Sequence, residues 1–160
     1  MFERFDAGAR RAVQRAVDEE APAAGTAAVE AEHLLLALAA DQGGAVAGLL
    51  CENGLDHDGL VAALERETER SLAAVGVALG DFAAAGRPAA RRRKVSLATS
   101  SKRSLERAVR LAAGRGDRTL GAAHLLLGIL HTQIGTVPRA LAIADIDRVG
   151  LIGQAERLLD

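Results

Sequence analysis

The side chains that could bind a metal are few and widely spaced. The chain of 160 residues has four histidines and one cysteine, and of the histidines only His124 and His131 are close in sequence. Their spacing of seven residues puts them on one helix face but two turns apart. That is too far for a compact site, which needs three or four converging ligands. We therefore predict no metal site and no cofactor.

Nucleophilic catalysis has no better support. Cys51 follows two leucines without a basic neighbour to activate its thiol, so we expect an inert, buried side chain. A single cysteine cannot form an internal disulfide and is typical of a reducing compartment. Ser100, Ser101 and Ser104 lack the Gly-x-Ser-x-Gly elbow of a serine nucleophile. The sequence therefore predicts a binding protein, with no catalytic residues, rather than an enzyme.

Composition and charge narrow the class of protein further. Hydrophobic residues make up 49% of the chain and charged residues 26%, as in a globular domain. The 20 basic and 21 acidic residues argue against a general binder of nucleic acids or anionic membranes. No stretch approaches the roughly 20 apolar residues that span a bilayer, and the N-terminus lacks the apolar run of a signal peptide. We expect a soluble cytoplasmic protein.

Helical periodicity accounts for most of the chain. Asp6 is placed to cap a first helix that runs to about Ala21. A second helix begins near Glu30, and its apolar residues on most sides indicate burial on several faces. A third helix covers 45–53, and a fourth follows the capping segment 56–58. No segment shows the alternation typical of a strand, so we predict an all-α fold.

The second half of the chain repeats the first. The tetrad His-Leu-Leu-Leu at 33–36 recurs at 124–127, an offset of 91 residues, and the same offset aligns Leu60 with Leu151. Within the first helix the offset becomes 92. The first half therefore holds one additional residue, which we place in its first interhelical loop.

This repeat predicts the domain organisation. We expect two pseudo-symmetric four-helix repeats, about eight helices in all, at residues 1–71 and 100–160. Glycine and proline interrupt residues 72–99, which we interpret as a flexible linker. The linker carries the basic run Arg91–Lys94. Four charges without interleaved aromatic residues give weak support for nucleic-acid binding, so we interpret them as solvated.

Four segments of the sequence point to a known family. They are an opening Met-Phe-Glu-Arg-Phe, the first-helix pattern at 9–16, and the two His-Leu-Leu-Leu segments at 29–38 and 120–130. Together they resemble the double Clp N-terminal (Clp repeat) domain that precedes the ATPase rings of ClpC- and ClpA-type unfoldases. The resemblance implies a non-catalytic module that docks substrates or adaptor proteins. A Gly-x-x-x-x-Gly-Lys-Ser/Thr motif is absent from the sequence, so we do not expect the chain alone to hydrolyse ATP.

The resemblance makes Glu32 the first candidate site residue. In some family members the matching glutamate helps to bind phosphorylated arginine, a degradation mark, and a carboxylate is a suitable partner for a guanidinium. Alternatively, Glu32 only favours the positive end of its helix, and His33 is a packed core residue. The chain departs from the family pattern at Asp6 and Ala98, in place of threonine, and at Ala123, in place of the second glutamate. We expect an impaired site in the first repeat and a lost site in the second.

A second candidate site is an apolar groove between the repeats. By resemblance to actinobacterial members, Phe2, Arg10, Leu97 and Lys102 fall where natural macrocyclic peptide inhibitors bind, although Leu97 replaces an aromatic residue. Alternatively, Phe2 and Phe5 only staple the first helix to the core.

The predicted function is protein or peptide binding. The expected partners are substrate or adaptor proteins, phosphoarginine-bearing or macrocyclic peptides, and a Clp unfoldase. Two roles stay open, namely a domain of an unfoldase and a stand-alone regulator or decoy in Clp-dependent proteolysis. The alternative from another class is a nucleic-acid-binding or stress-related regulator that uses the basic linker.

Overall fold

The computed structural model describes residues 2–77 and 95–160, with only the backbone of Phe2. The basic run Arg91–Lys94 therefore lies outside the described residues. Within them the all-α prediction is confirmed. Nine α-helices occupy these two ranges: α1 (Ala7–Arg15), α2 (Ala21–Ala23), α3 (Ala31–Ala40), α4 (Ala45–Glu52), α5 (His57–Ala74), α6 (Thr99–Arg115), α7 (Ala122–Leu130), α8 (Thr136–Ile143) and α9 (Arg148–Arg157).

A π-helical turn distinguishes the first helix of the first repeat. After α1 the helix widens at Ala16–Glu20 and continues as α2, whereas α6 is α-helical over its whole length. The starts of α1 and α6 are 92 residues apart, at 7 and 99. The glycines with positive φ that follow the two helices, Gly25 and Gly116, are only 91 apart. Because a π-helical turn absorbs one additional residue, our placement of that residue in the interhelical loop is wrong.

Two short parallel contacts join the repeats. Strand β1 (Ala28–Val29) pairs with strand β2 (Ser96–Leu97), and at the pseudo-equivalent place Phe5 forms a parallel bridge with Leu120. Each contact joins the segment before the first helix of one repeat to the segment before the second helix of the other. Two-residue strands are too short to show alternation, which is why the sequence pattern does not reveal them.

Helices of one repeat also pack against helices of the other in a reciprocal arrangement. Helix α5 of the first repeat packs against α8 of the second, and α9 of the second packs against α4 of the first. The two repeats therefore share one core. Its largest fully buried side chains come from both halves: Leu34, Leu35, Leu38, Leu50, Leu55, Leu60, Leu105, Leu125, Leu126, Leu127, Ile129 and Leu130.

No single helix in the described ranges is long and apolar enough to cross a bilayer. Helices α3 and α4 pass that test only when counted together, and they are bent by 99° at their junction.

Cys51 lies on the solvent side of α4. Leu49 and Leu50 point into the core, and the thiol one position further along is exposed because successive helical residues are about 100° apart. The expectation of a buried thiol is therefore wrong.

Candidate functional site

The starts of α3 and α6 meet at what we call the first crossing, formed by residues 29–32 and 97–102. The N–H of Ala31 donates to the hydroxyl of Ser100 at 2.9 Å. That hydroxyl donates in turn to the carboxylate of Glu30 in a short hydrogen bond. The first turn of α6 is thereby held on the first turn of α3.

The starts of α1 and α7 meet at the second crossing, formed by residues 4–10 and 120–123. The N–H of Asp6 donates to the carbonyl oxygen of Leu120 at 2.9 Å, and the N–H of Leu120 donates to the carbonyl oxygen of Arg4 at 2.7 Å. Asp6 Oδ2 lies 2.8 Å from the position that a Cβ atom would occupy at Gly121. A Cβ atom at Gly121 would therefore press on the side chain of Asp6, which caps α1.

The five predicted site residues divide between the two crossings. Glu32, Leu97 and Lys102 belong to the first crossing, where Glu32 and Leu97 are half-buried and Lys102 is exposed. Arg10 belongs to the second crossing and is exposed. Phe2 opens the 3₁₀ turn that leads into the same crossing.

Arg10 and Lys102 occupy equivalent positions, each in the first turn of the leading helix of its repeat. The guanidinium of Arg10 donates to the carbonyl oxygen of Glu3 at 3.3 Å. Phe5 is only 3% exposed and packs in the core. Each leading helix thus presents a cation to solvent at this position.

Glu32 lies where a negative charge is disfavoured. Burial is the main cause that raises the pKa of this carboxyl, and the carboxylates of Glu30 and Glu67 raise it further. Its own backbone N–H and the guanidinium of Arg139 act in the opposite direction. A ligand cation that reached the carboxylate would therefore relieve a repulsion already present in the fold.

Beside Glu32 lies an ion pair that the sequence analysis missed. Arg139 Nε donates to Glu67 Oε1 at 2.7 Å, and the hydroxyl of Ser71 donates to the same oxygen at 2.6 Å. Burial opposes the charge of Glu67, but these two hydrogen bonds and the guanidinium lower the pKa of the carboxyl below its ordinary value. The helical spacing in the sequence does indicate that Glu67 is buried, because it continues the buried face of α5 after Leu60 and Ala63.

The two leading helices are capped differently. The Asp6 carboxylate caps α1 by accepting a hydrogen bond from the N–H of Ala9 at 2.8 Å. Helix α6 begins after Ala98, which provides no side-chain cap. Free N–H groups at a helix start favour an anion, whereas a carboxylate there repels one. The start of α6 thus leaves N–H groups without a side-chain cap, with the Glu30 carboxylate held nearby by Ser100, whereas the start of α1 is capped by Asp6.

Grouping the departures from the family pattern by repeat puts Asp6 with Glu32 and Ala98 with Ala123. The structure groups these residues across the two repeats instead. Ala98 lies at the crossing that holds Glu32, and Asp6 lies at the crossing that holds Ala123. Both unfavourable departures, the carboxylate and the missing glutamate, therefore fall on the second crossing. The first crossing keeps its glutamate and lacks only the threonine hydroxyl.

His33 and His124 support the second helix of each repeat. The N–H of Glu30 donates to His33 Nδ1 at 2.9 Å, and the N–H of Gly121 donates to His124 Nδ1 at 3.0 Å. Both imidazoles are buried. The interpretation of His33 as a packed, hydrogen-bonded residue is confirmed.

The π-helical turn places a further acidic side chain inside the fold. Glu20 is 6% exposed, with both carboxylate oxygens 3.0 Å from His57 Nε2 and Oε1 3.2 Å from Arg15 Nε. These contacts join the π-helical turn to the start of α5. Across the described parts of the chain, three or more His, Cys, Asp or Glu side chains nowhere gather as they would to hold a metal.

Comparisons with known proteins agree with this architecture. The N-terminal domain of the caseinolytic protease associated chaperone ClpD from Arabidopsis thaliana superposes with a TM-score of 0.73 at 21% identity, over 100% of both chains. The Hsp104 N-terminal domain from Candida albicans gives 0.65 at 18% identity, over 98% of this chain and 91% of that one. A protein of a malarial protein secretion system gives 0.66 at 18% identity, over 96% and 93%. These structural similarities show that the chain shares its fold with these three structures.

The family of the chain follows from its sequence. No curated protein sequence matches the chain. Residues 4–144 match the Clp repeat (R) N-terminal domain, a range that includes every helix from α1 to α8. This chain therefore belongs to the Clp repeat N-terminal domain family.

Proposed function

We propose that this chain is a non-catalytic docking module that binds substrate or adaptor proteins at the first crossing. Clp N-terminal domains are substrate- and adaptor-docking modules of Clp unfoldases, which supports the general role. The observation that carries the specific proposal is the half-buried Glu32, which follows Ala31 in the chain, and the N–H of Ala31 donates to Ser100 in the uncapped first turn of α6.

The proposed ligand is a peptide that bears phosphoarginine. Its guanidinium would donate to Glu32, where a cation is favoured. Its phosphate would accept from the free N–H groups at the start of α6, with the exposed Lys102 ammonium nearby in sequence. Unmodified arginine could use only the first of these interactions and would bind more weakly.

Calorimetric titration with a phosphoarginine peptide and its unphosphorylated counterpart tests this proposal. We expect a micromolar Kd for the phosphorylated peptide, which corresponds to about −8 kcal/mol. Glu32→Gln should weaken binding about ten- to a hundredfold, the usual range for one charge-assisted hydrogen bond. Ala98→Asp, which copies the cap of α1, should weaken it as well. Asp6→Ala at the second crossing is the control and should change little. Equal affinity of Glu32→Gln and the parent chain would contradict the assignment.

We also propose that Phe2, Arg10, Leu97 and Lys102 contact macrocyclic peptides. The exposed cations Arg10 and Lys102, at equivalent positions of the two leading helices, support this proposal. Phe2→Ala should then weaken binding of a macrocycle about tenfold without a change in the melting temperature. An unchanged affinity would remove Phe2 from the site.

The biological role that we propose is regulation of Clp-dependent proteolysis in the cytoplasm, by competition with an unfoldase for adaptors or tagged substrates. Adding the chain to a Clp degradation assay should slow degradation in proportion to its concentration, and Glu32→Gln should restore the rate. A salt-dependent shift of duplex DNA, lost when Arg91, Arg92 and Arg93 are all replaced by alanine, would instead favour the nucleic-acid-binding regulator.

A further inference from the structure

The interface between α4 and α9 is open where its pseudo-equivalent is closed. Between α5 and α8, Glu67 and Arg139 form their 2.7 Å ion pair. The positions 91 residues away hold Leu158 and Gly48, which cannot form such a pair. Helix α9 also ends next to Leu158, whereas α5 continues well past Glu67. One side of α4 is therefore left uncovered.

A groove of about 450 Å³ occupies this uncovered side. It is lined by Leu49, Glu52, Asn53, Gln154, Arg157 and Leu158. Leu158 also borders a smaller cavity of about 130 Å³, which lies against the first turn of α4. The two spaces lie against opposite ends of α4, and Leu158 borders both.

Two amide side chains face each other in the groove. Asn53 Nδ2 donates to the carbonyl oxygen of Leu49 at 2.8 Å and to Gln154 Oε1 at 2.9 Å. Within residues 2–77 and 95–160, the Oδ1 atom of Asn53 and the Nε2 atom of Gln154 make no hydrogen bond. One free acceptor beside one free donor is the complement of a peptide group, which offers an N–H and a carbonyl oxygen.

The remaining lining residues define which side chains would fit. Leu158 is 40% exposed and lies in the groove with Leu49, so together they offer an apolar floor. Glu52 and Arg157 are exposed, and neither forms an ion pair among the described residues. A ligand with one basic and one acidic residue would complement these opposite charges.

We propose that this groove binds an extended peptide segment of a partner protein, with an aliphatic side chain between a basic and an acidic residue. The Asn53–Gln154 amide pair binds the main chain of the peptide. The aliphatic side chain packs on Leu158, and the charges of Glu52 and Arg157 set the direction of the peptide. The groove is lined by other residues than the first crossing, so this inference goes beyond the proposed function and does not depend on it.

The probe is the capped octapeptide Gly-Ser-Lys-Leu-Leu-Asp-Ser-Gly, titrated into the ¹⁵N-labelled full chain. We expect the side-chain amide signals of Asn53 and Gln154 to shift with saturation. Replacing both leucines of the peptide by serine should weaken binding at least tenfold. Absence of any shift at millimolar peptide, or shifts confined to the starts of α1 and α6, would overturn the proposal.

A paired substitution tests the same groove from the protein side. Gly48→Arg with Leu158→Glu introduces the ion pair of the α5–α8 interface and should weaken binding at least tenfold. A Cβ atom at Gly48 meets no atom within 4 Å, so the fold should tolerate the change, and an unchanged thermal melt checks this. Val149→Glu on α9, at a site 76% exposed, is the control and should bind the peptide normally.

Two results separate this groove from the first crossing. Glu32→Gln should leave the affinity for the octapeptide unchanged. Unchanged affinity in the Gly48→Arg, Leu158→Glu chain, or a loss of affinity in Glu32→Gln, would show that the peptide binds elsewhere.

Discussion

Arg139 of the second repeat donates a hydrogen bond from Nε to Oε1 of Glu67 in the first repeat, at 2.7 Å. Glu67 is only 4% exposed, so its charge depends on this guanidinium and on the hydroxyl of Ser71. The pair lies between α5 and α8, and it therefore contributes to holding one repeat on the other.

Replacing Arg139 by alanine should destabilise the fold. The change leaves the buried Glu67 carboxylate without its cation, and we expect the free energy of unfolding to fall by about 1–3 kcal/mol. The Arg139 side chain is 54% exposed. Because solvent screens its charge, we expect a loss of stability in the lower half of that range. Urea unfolding followed by circular dichroism at pH 7 measures the effect. Adding Glu67→Gln to Arg139→Ala should recover part of the loss, and an unchanged urea midpoint in Arg139→Ala would show that water replaces the guanidinium.

Stability should decrease in mildly acidic solution because of His33. Burial is the main cause that lowers the pKa of this imidazole. Its Nδ1 must also stay unprotonated to accept the hydrogen bond from the backbone N–H of Glu30. The unfolded chain therefore takes up the proton more readily than the folded chain. The contribution of His33 is complete above the ordinary pKa of about 6.5 and is lost as the pH falls from there through the lowered value.

The variant His33→Gln isolates this contribution. Glutamine can accept the same hydrogen bond at this helix position but does not titrate. Melting temperatures measured between pH 7.5 and 5.5 should fall less for His33→Gln than for the parent chain. Parallel curves for the two proteins would assign the pH dependence to other groups.

Glu32→Gln should stabilise the unliganded chain at neutral pH. The folded pKa of this carboxyl is raised, so its ionisation opposes folding. That penalty is absent below about pH 4.5, the ordinary range of a glutamate, and is complete once the pH exceeds the raised value. Urea midpoints at pH 7 should be higher for the variant, while binding of phosphoarginine peptide is weakened. A lower midpoint would mean that Glu32 makes a favourable contact within the fold.

Two glycines should respond to alanine in opposite directions. At Gly48 a Cβ atom meets open space, so Gly48→Ala should raise stability by about 0.5–1 kcal/mol through helix propensity. At Gly128 a Cβ atom would collide with the carbonyl oxygen of Ser104 and approach the nitrogen of Ala108 to 3.0 Å. Gly128→Ala should therefore cost about 1–3 kcal/mol by overpacking. Thermal melts of both variants check the signs, and equal shifts would contradict the close contact between α6 and α7.

The sequence was sufficient for the helices and for the family. The repeated His-Leu-Leu-Leu segment and its 91-residue offset predict two related helical units, because apolar spacing and capping residues are local signals. The buried His33 follows from the same pattern. These predictions need no knowledge of which helix packs against which.

The candidate sites depend on packing between repeats, which local signals do not carry. An internal repeat is equally compatible with two independent bundles and with exchanged partners. For that reason the sequence pattern groups Asp6 with Glu32 of the same repeat, whereas the structure places Asp6 beside Gly121 of the other repeat. The Glu67–Arg139 pair joins residues 72 positions apart, and neither spacing nor composition marks them as partners.

The crossed pairing of Phe5 with Leu120 and of β1 with β2 has a consequence for the folding of separate fragments. Each half of the polypeptide contributes one segment to both of these parallel backbone pairings, so neither pairing can form within one half alone. A chain cut between residue 77 and residue 95 should therefore yield pieces that reassociate rather than two self-sufficient proteins. We therefore expect the two repeats to fold as one cooperative unit rather than as two independent domains.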